Sequence, residues 1–147
     1  MLLNIPLIEE LATVLLNHIW IVFENKSEAN YYTSDHPVVA VPHAGSPTRA
    51  KSGLASAGIQ VIYPLTPRHS LSLLERSFWK AFAHFDRSVH KQQITKANVE
   101  FDNSAQVIQS TRFVYSQDGD FVLAKDMSRE NPELRDSQRT ILQSRQL

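Results

Sequence analysis

A hydroxyl, a carboxylate and an imidazole stand side by side at Ser34, Asp35 and His36, with Pro37 behind them. Nucleophilic and general acid–base chemistry draw on these three groups. Consecutive side chains of an extended segment point to opposite faces, so the three cannot form a relay among themselves. Asp35 can act as a base or a metal ligand only with partners from elsewhere, and Glu24 and Arg112 are the candidates, Arg112 as an electrostatic partner. The candidate catalytic set is therefore Asp35, Ser34, His36 and Arg112. Pro37 lacks an N–H and biases His36 towards extended geometry, which puts the carboxylate at a stiff bend. The competing structural role is an Asx turn, in which Asp35 accepts backbone N–H groups two residues on.

Other chemistries find less support. Gly45 to Ser52 approaches a phosphate loop, but Ala50 stands where a glycine is needed and Pro47 removes an N–H from the cradle. The six histidines are scattered, and none is four residues from another. Asp86 and His90 do have that spacing, yet two ligands are too few, so no metal site is assigned. No residue pattern names a cofactor.

Charge is unevenly distributed along a chain whose formal net charge is zero. Residues 49–96 hold eight basic and two acidic side chains, between flanks that are acidic. The residue pattern predicts a helix over Ser77 to Gln92. At about 100° per residue it gathers Arg76, Lys80, Arg87 and Lys91 on one face with His84 beside them, opposite Phe78, Phe82, Phe85 and Val89. Such a ridge fits an anionic macromolecule, either nucleic acid or an acidic protein surface. It lacks interleaved aromatics, the stacking platform of single-strand binders.

These residues must be positioned by a chain of 147 residues, enough for one domain with one core. No cysteine is present, so thiolate catalysis, disulfides and cysteine-ligated zinc are excluded. The apolar start has no basic region and is interrupted by Glu9, Glu10, Asn17 and His18, which fits an amphipathic helix packing one face on a core, not a membrane span. Ile19 to Phe23 reads as a strand with Tyr31 to Ser34 as its hairpin partner. Val38 to Val41 and Ile59 to Leu65 are further strands. A helix over Ile94 to Ser110 carries Ile94, Ala97, Phe101, Ala105 and Ile108 on one stripe. Arg112 to Ser116 and Phe121 to Leu123 form an expected hairpin around Asp118-Gly119. The expected fold is α+β, a small, largely antiparallel sheet with helices on one side, over residues 1–124. Residues 125–147 read as a polar, partly disordered tail.

The order of Trp20 to Phe23, Tyr32-Thr33-Ser34-Asp35-His36-Pro37-Val38, Ile62-Tyr63-Pro64-Leu65-Thr66-Pro67, Ala97-Asn98 and Arg112-Phe113-Val114-Tyr115-Ser116 resembles the bacterial family called domain of unknown function 4238. The resemblance runs from about Leu11 to Ser116 and rests on the order and spacing of short elements. Members of that family begin with a histidine-tyrosine-x-proline motif, which Met1 to Trp20 lacks, so the chain resembles the family's C-terminal half and is expected to be a truncated copy. The family favours asparagine where this chain has His36. The resemblance implies no reaction. Two functions follow as expectations: a cytoplasmic accessory domain that binds a macromolecule through its basic helix, or a hydrolase-like or nuclease-like domain centred on Asp35.

Overall fold

A computed structural model describes residues 5–43, 53–90 and 94–139. The segment Gly45 to Ser52 and Lys91 lie outside them. Helix α1 spans Ile5–Asn17, followed by strands β1 (Ile19–Glu24), β2 (Thr33–Ser34), β3 (Val39–Pro42), β4 (Ile59–Thr66) and β5 (His69–Leu74). A 3-10 segment (Lys80–Phe85), β6 (Ser88–His90), α2 (Lys96–Gln109), β7 (Val114–Tyr115), α3 (Val122–Glu130) and a second 3-10 turn (Pro132–Arg135) complete the order. The fold is α+β, as the element pattern predicts.

The main sheet has the order β3-β4-β5-β1-β6, antiparallel except for the parallel β1–β6 edge. Its central strand β5 is a segment the residue pattern left unassigned. The alternation Ser70, Leu71, Ser72, Leu73 is a period-two signal that puts the serines on one face. In register, Leu74, Ser72 and Ser70 lie opposite Ile19, Ile21 and Phe23, so these six side chains share a face. Ile19, Ile21 and Leu74 form the core there, packed against Phe23, Trp79, Phe82, Ala83 and Phe85. Helix α2 meets the same face, because Ser70 Oγ donates to Asp102 Oδ2 at 3.4 Å.

Two strand pairings differ from expectation. Tyr31 to Ser34 is not the hairpin partner of β1, because β1 is already paired on both sides by β5 and β6. Instead β2 pairs with β7 in a separate two-stranded ribbon, Thr33 opposite Tyr115 and Ser34 opposite Val114. The expected terminal hairpin does not form either, since Val122 to Leu123 opens α3. Gly119, with φ of 72°, makes the intervening turn.

Helix α1 is held at one end. His18 Nδ1 donates to Val14 O at 2.8 Å, Trp20 Nε1 to Leu15 O at 2.8 Å, Arg87 Nη2 to Leu16 O at 3.0 Å and Arg76 Nε to Asn17 O at 3.0 Å. The last four carbonyls of the helix, which have no intrahelical partners, are thus all satisfied. The two guanidinium charges also sit at the negative end of the helix dipole. One face of α1, bearing Leu11, Val14 and Leu15, is half-buried and the rest of the helix is exposed, so the expected packing of one face is shallow and no α1 residue is fully buried.

Candidate functional site

The Ser34-Asp35-His36-Pro37 turn is held by α2 through an amide ladder. Asn103 accepts from Tyr32 N at 2.7 Å and donates to Asn30 O at 2.9 Å. One turn on, Gln106 accepts from Ser34 Oγ at 2.9 Å and donates to Pro37 O at 2.8 Å. Both amides are buried, and both use oxygen and nitrogen. The predicted α2 stripe is therefore rotated. Of the predicted stripe Ala105 is buried but Phe101 and Ile108 are exposed, while Val99, Asn103, Gln106 and Val107 face inward. Thr95 and Asn98 open the helix with a reciprocal capping box.

Asp35 is the clasp on the other side of the turn. Its oxygens accept Thr111 N at 3.0 Å, Thr111 Oγ1 at 2.6 Å and Arg112 N at 2.9 Å, while its own N–H donates to Phe113 O at 3.1 Å. Burial alone raises the Asp35 pKa, but the hydrogen bonds from Thr111 and Arg112 outweigh it and hold the carboxyl below its ordinary value. The Asx turn to the residue two on has no donor, because Pro37 lacks an N–H, and the carboxylate instead closes a clasp 76 residues away. It is Ser34 that makes the short-range bond, accepting His36 N at 3.2 Å.

Of the predicted set, Ser34, Asp35 and the backbone of Arg112 come together, while the His36 and Arg112 side chains lie exposed. Glu24 is elsewhere, at the end of β1 opposite His69. With Ser34 Oγ committed to Gln106 and the Asp35 oxygens to the turn after α2, the arrangement binds backbone and leaves no aligned nucleophile–base pair.

The predicted helix over Ser77 to Gln92 is replaced by a capped turn, the 3-10 segment and β6. Trp79, Phe82 and Phe85 recur every third residue, which suits three residues per turn and lays all three on the core. Glu75 fixes the entry by accepting Ser77 N at 2.8 Å, Ser77 Oγ at 2.9 Å, and Phe78 N and Gly58 N at 3.1 Å each. Burial raises the Glu75 pKa, but these bonds overcome it and bring the carboxyl down to about 2.

Among the described residues, the single helix face that was to align Arg76, Lys80, His84 and Arg87 is therefore absent. Arg76 and Arg87 both turn to Asp86, which also accepts Trp20 N at 2.9 Å. That backbone bond, then the Arg76 and Arg87 charges, hold Asp86 below its ordinary pKa against the opposing effect of burial. Arg87 adopts φ of 60° with its guanidinium over the Trp20 ring, a left-handed conformation that its bond to Trp20 O supports. Lys80 and His84 are exposed on the 3-10 segment. His90, four residues from Asp86, packs on Phe23 and Phe85.

The family model described as Protein of unknown function (DUF4238) matches residues 2–120, most of the chain. The chain belongs to that family. No curated protein and no solved structure matches it. In this DUF4238 member the matched stretch runs from α1 through β7 and contains both halves of the Asp35 clasp. Among the described residues, no helix is long and apolar enough to cross a membrane.

One titratable group went unnoticed at the sequence level. Asp102 lies on the sheet side of α2, where burial pushes its carboxyl up to about 7 against a hydrogen bond from Ser70. A visible signal was its place one turn after Asn98 and next to Asn103, on the polar side of a helix whose apolar residues were taken to face the core.

Proposed function

We propose that this chain is an interaction module whose α1 is a ligand helix, seating Ile5, Ile8 and Leu16 in an apolar groove of a partner protein with a basic rim. The supporting observation is that α1, half-buried only along Leu11, Val14 and Leu15, leaves a second apolar stripe in water, with Ile5 63% and Leu16 59% exposed. Ile5, Ile8, Ala12 and Leu16 fall on one narrow stripe at helical spacing, the pattern of groove-binding helices. An apolar stripe left in water on a helix whose end is clamped marks a contact surface.

Charge and area choose the occupant. The polar side of α1 carries Glu9 and Glu10 and no lysine or arginine, unlike helices that lie on anionic membranes. A 13-residue helix is about 20 Å long, and two laid side by side bury far less than the roughly 1,200 Å² of a stable pair. A groove surrounds the helix and buries more. The macromolecular-interaction reading thus moves from the basic segment, whose arginines are used internally, to α1. The hydrolase reading has no comparable support, because every Asp35 contact is structural.

The test is photo-crosslinking in the native cell from single positions along α1. Crosslinks to one polypeptide from Ile5, Ile8 and Ala12, absent at Thr13 and Asn17 and weakened by Glu9→Lys with Glu10→Lys, support the proposal. Equal crosslinking from both sides of the helix, binding of the pure protein to lipid vesicles, or α1-dependent dimers in ultracentrifugation overturn it.

A further inference from the structure

We propose that Arg87 is a strained latch that fixes the direction of α1 against the sheet, and that α1 swings as an arm about Asn17 and His18 when the latch opens. Resting on the reading of α1 as a ligand helix, the latch has a purpose: a helix already held in one orientation meets its groove without first being ordered. The observation behind it is the backbone at the turn into β6. Asp86 at φ −53° and ψ 134°, followed by Arg87 at φ 60°, matches the two corners of a type II turn. The second corner of such a turn favours glycine, because a side chain there strains the backbone. Among the described residues Arg87 is the one non-glycine residue with a positive φ.

What the side chain touches accounts for the strain. Its guanidinium donates to Leu16 O at 3.0 Å, lies over the Trp20 ring with 5.0 Å to the centroid, and approaches Asp86 at 3.8 Å. The indole it covers holds the neighbouring Leu15 O through Nε1 at 2.8 Å. Arg76, the remaining donor to the end of α1 from beyond His18 among the described residues, reaches Asn17 O and is paired with the same Asp86. Arg87 thus makes one tie to α1 directly, steadies a second through the Trp20 ring and shares the anchor of the third. A glycine at position 87 would suit the turn and lose all of these contacts.

The pivot carries a second defect. His18 is 4% exposed, and its Nδ1 is taken by Val14 O, which leaves Nε2 buried with no hydrogen-bond partner among the described residues. A buried polar atom without a partner is destabilising, and it meets water once α1 lifts, which favours an open position. The rest of α1 resists opening little, because Leu11, Val14 and Leu15 are only half-buried. The sheet does not depend on the arm, since β5 is paired with β1 on one side and β4 on the other.

The chain has no cysteine, so Glu9→Cys with Leu65→Cys places spin labels on α1 and the sheet alone, for distance measurement by electron spin resonance. One narrow distance is expected with Arg87 in place, and a broad distribution in Arg87→Gly, which relieves the turn and removes the latch. Reaction of His18 with diethyl pyrocarbonate, located by mass spectrometry, should quicken about tenfold in that variant, as a charge-assisted hydrogen bond is lost, while amide exchange in β5 is unchanged. Arg87→Asn also tolerates the left-handed backbone and repeats the result should the glycine variant fold poorly. A narrow, unshifted distance in both variants, a His18 that reacts no faster, or β5 exchange that quickens in step with His18 overturns the proposal. Partner capture is read separately: crosslinks missing from a latched α1 count against the ligand-helix reading alone, and unmoved distances in the variants count against the latch alone.

Discussion

At the residue scale, carboxylates divide this molecule into opposite kinds of site. Asp35 gathers N–H and O–H donors from Thr111 and Arg112, so its ionised form is favoured in the fold. Asp35→Ala is expected to cost about 1.5–3 kcal/mol in urea unfolding, since hydrogen bonds to a charged acceptor are lost. The sign with pH follows from the lowered pKa: the stabilisation is complete above the ordinary value of 3.8 and fades as pH falls through the folded-state value. The gap between wild type and Asp35→Ala should therefore close in acid. Asp102 behaves in reverse, because the folded chain holds its proton up to about 7 while the unfolded chain releases it near 3.8. Stability falls as pH rises across that window. Asp102→Asn should erase the fall, leaving the variant the more stable by on the order of 2–4 kcal/mol at pH above 7. A wild-type stability that stays flat between those values would refute the assignment.

At the scale of elements, α2 shows what a single sequence conveys and what it withholds. Its existence was legible in the helical spacing of Ile94, Ala97, Phe101, Ala105 and Ile108 before Ser110. Its inward face was not. Hydrophobic periodicity picks the side bearing Phe101 and Ile108, yet the helix turns Asn103 and Gln106 inward because the extended segment beside it carries backbone groups that need partners. The 3-10 segment fails to be read for a related reason: rings at 79, 82 and 85 suit a three-residue turn as well as a helix, and only the core beneath them decides. The ladder makes a prediction of its own. Asn103→Ala strands the Tyr32 N–H and the Asn30 carbonyl together, so it should cost about 2–4 kcal/mol. Amide exchange at Tyr32 should speed up by more than at β5, where the ladder hydrogen bonds are untouched.

At the scale of the whole molecule, the strands of the main sheet come from residues 19–90, but its stitching is non-local. The β2–β7 ribbon, the Asp35 clasp and the Asn103–Gln106 ladder all join the thirties to residues 103–115. One sequence without its variants carries no pairing information, which is why the Ser34–Pro37 turn was visible as a bend while, of its partners, only Arg112 was named, for its charge and not for the backbone N–H that makes the contact. Past Asp120, where the family match ends, α3 and the turn after it pack on this assembly. Phe121 meets Tyr32 at 6.0 Å between ring centroids, and Arg139 donates to Ile108 O at 3.1 Å and to Ser110 O, capping the end of α2. No α3 residue is buried, so the core of the domain does not depend on it. A chain truncated after Asp120 should keep a cooperative thermal transition, because the sheet, the clasp and the ladder are all intact. It should lose the α2 cap and the Tyr32 contact, together about 2–3 kcal/mol, which for a domain of this size lowers Tm by roughly 5–10 °C. Calorimetry distinguishes the cases: a smaller but still two-state peak identifies residues 121–139 as a brace, whereas a broad or vanished transition would make them part of the folding unit.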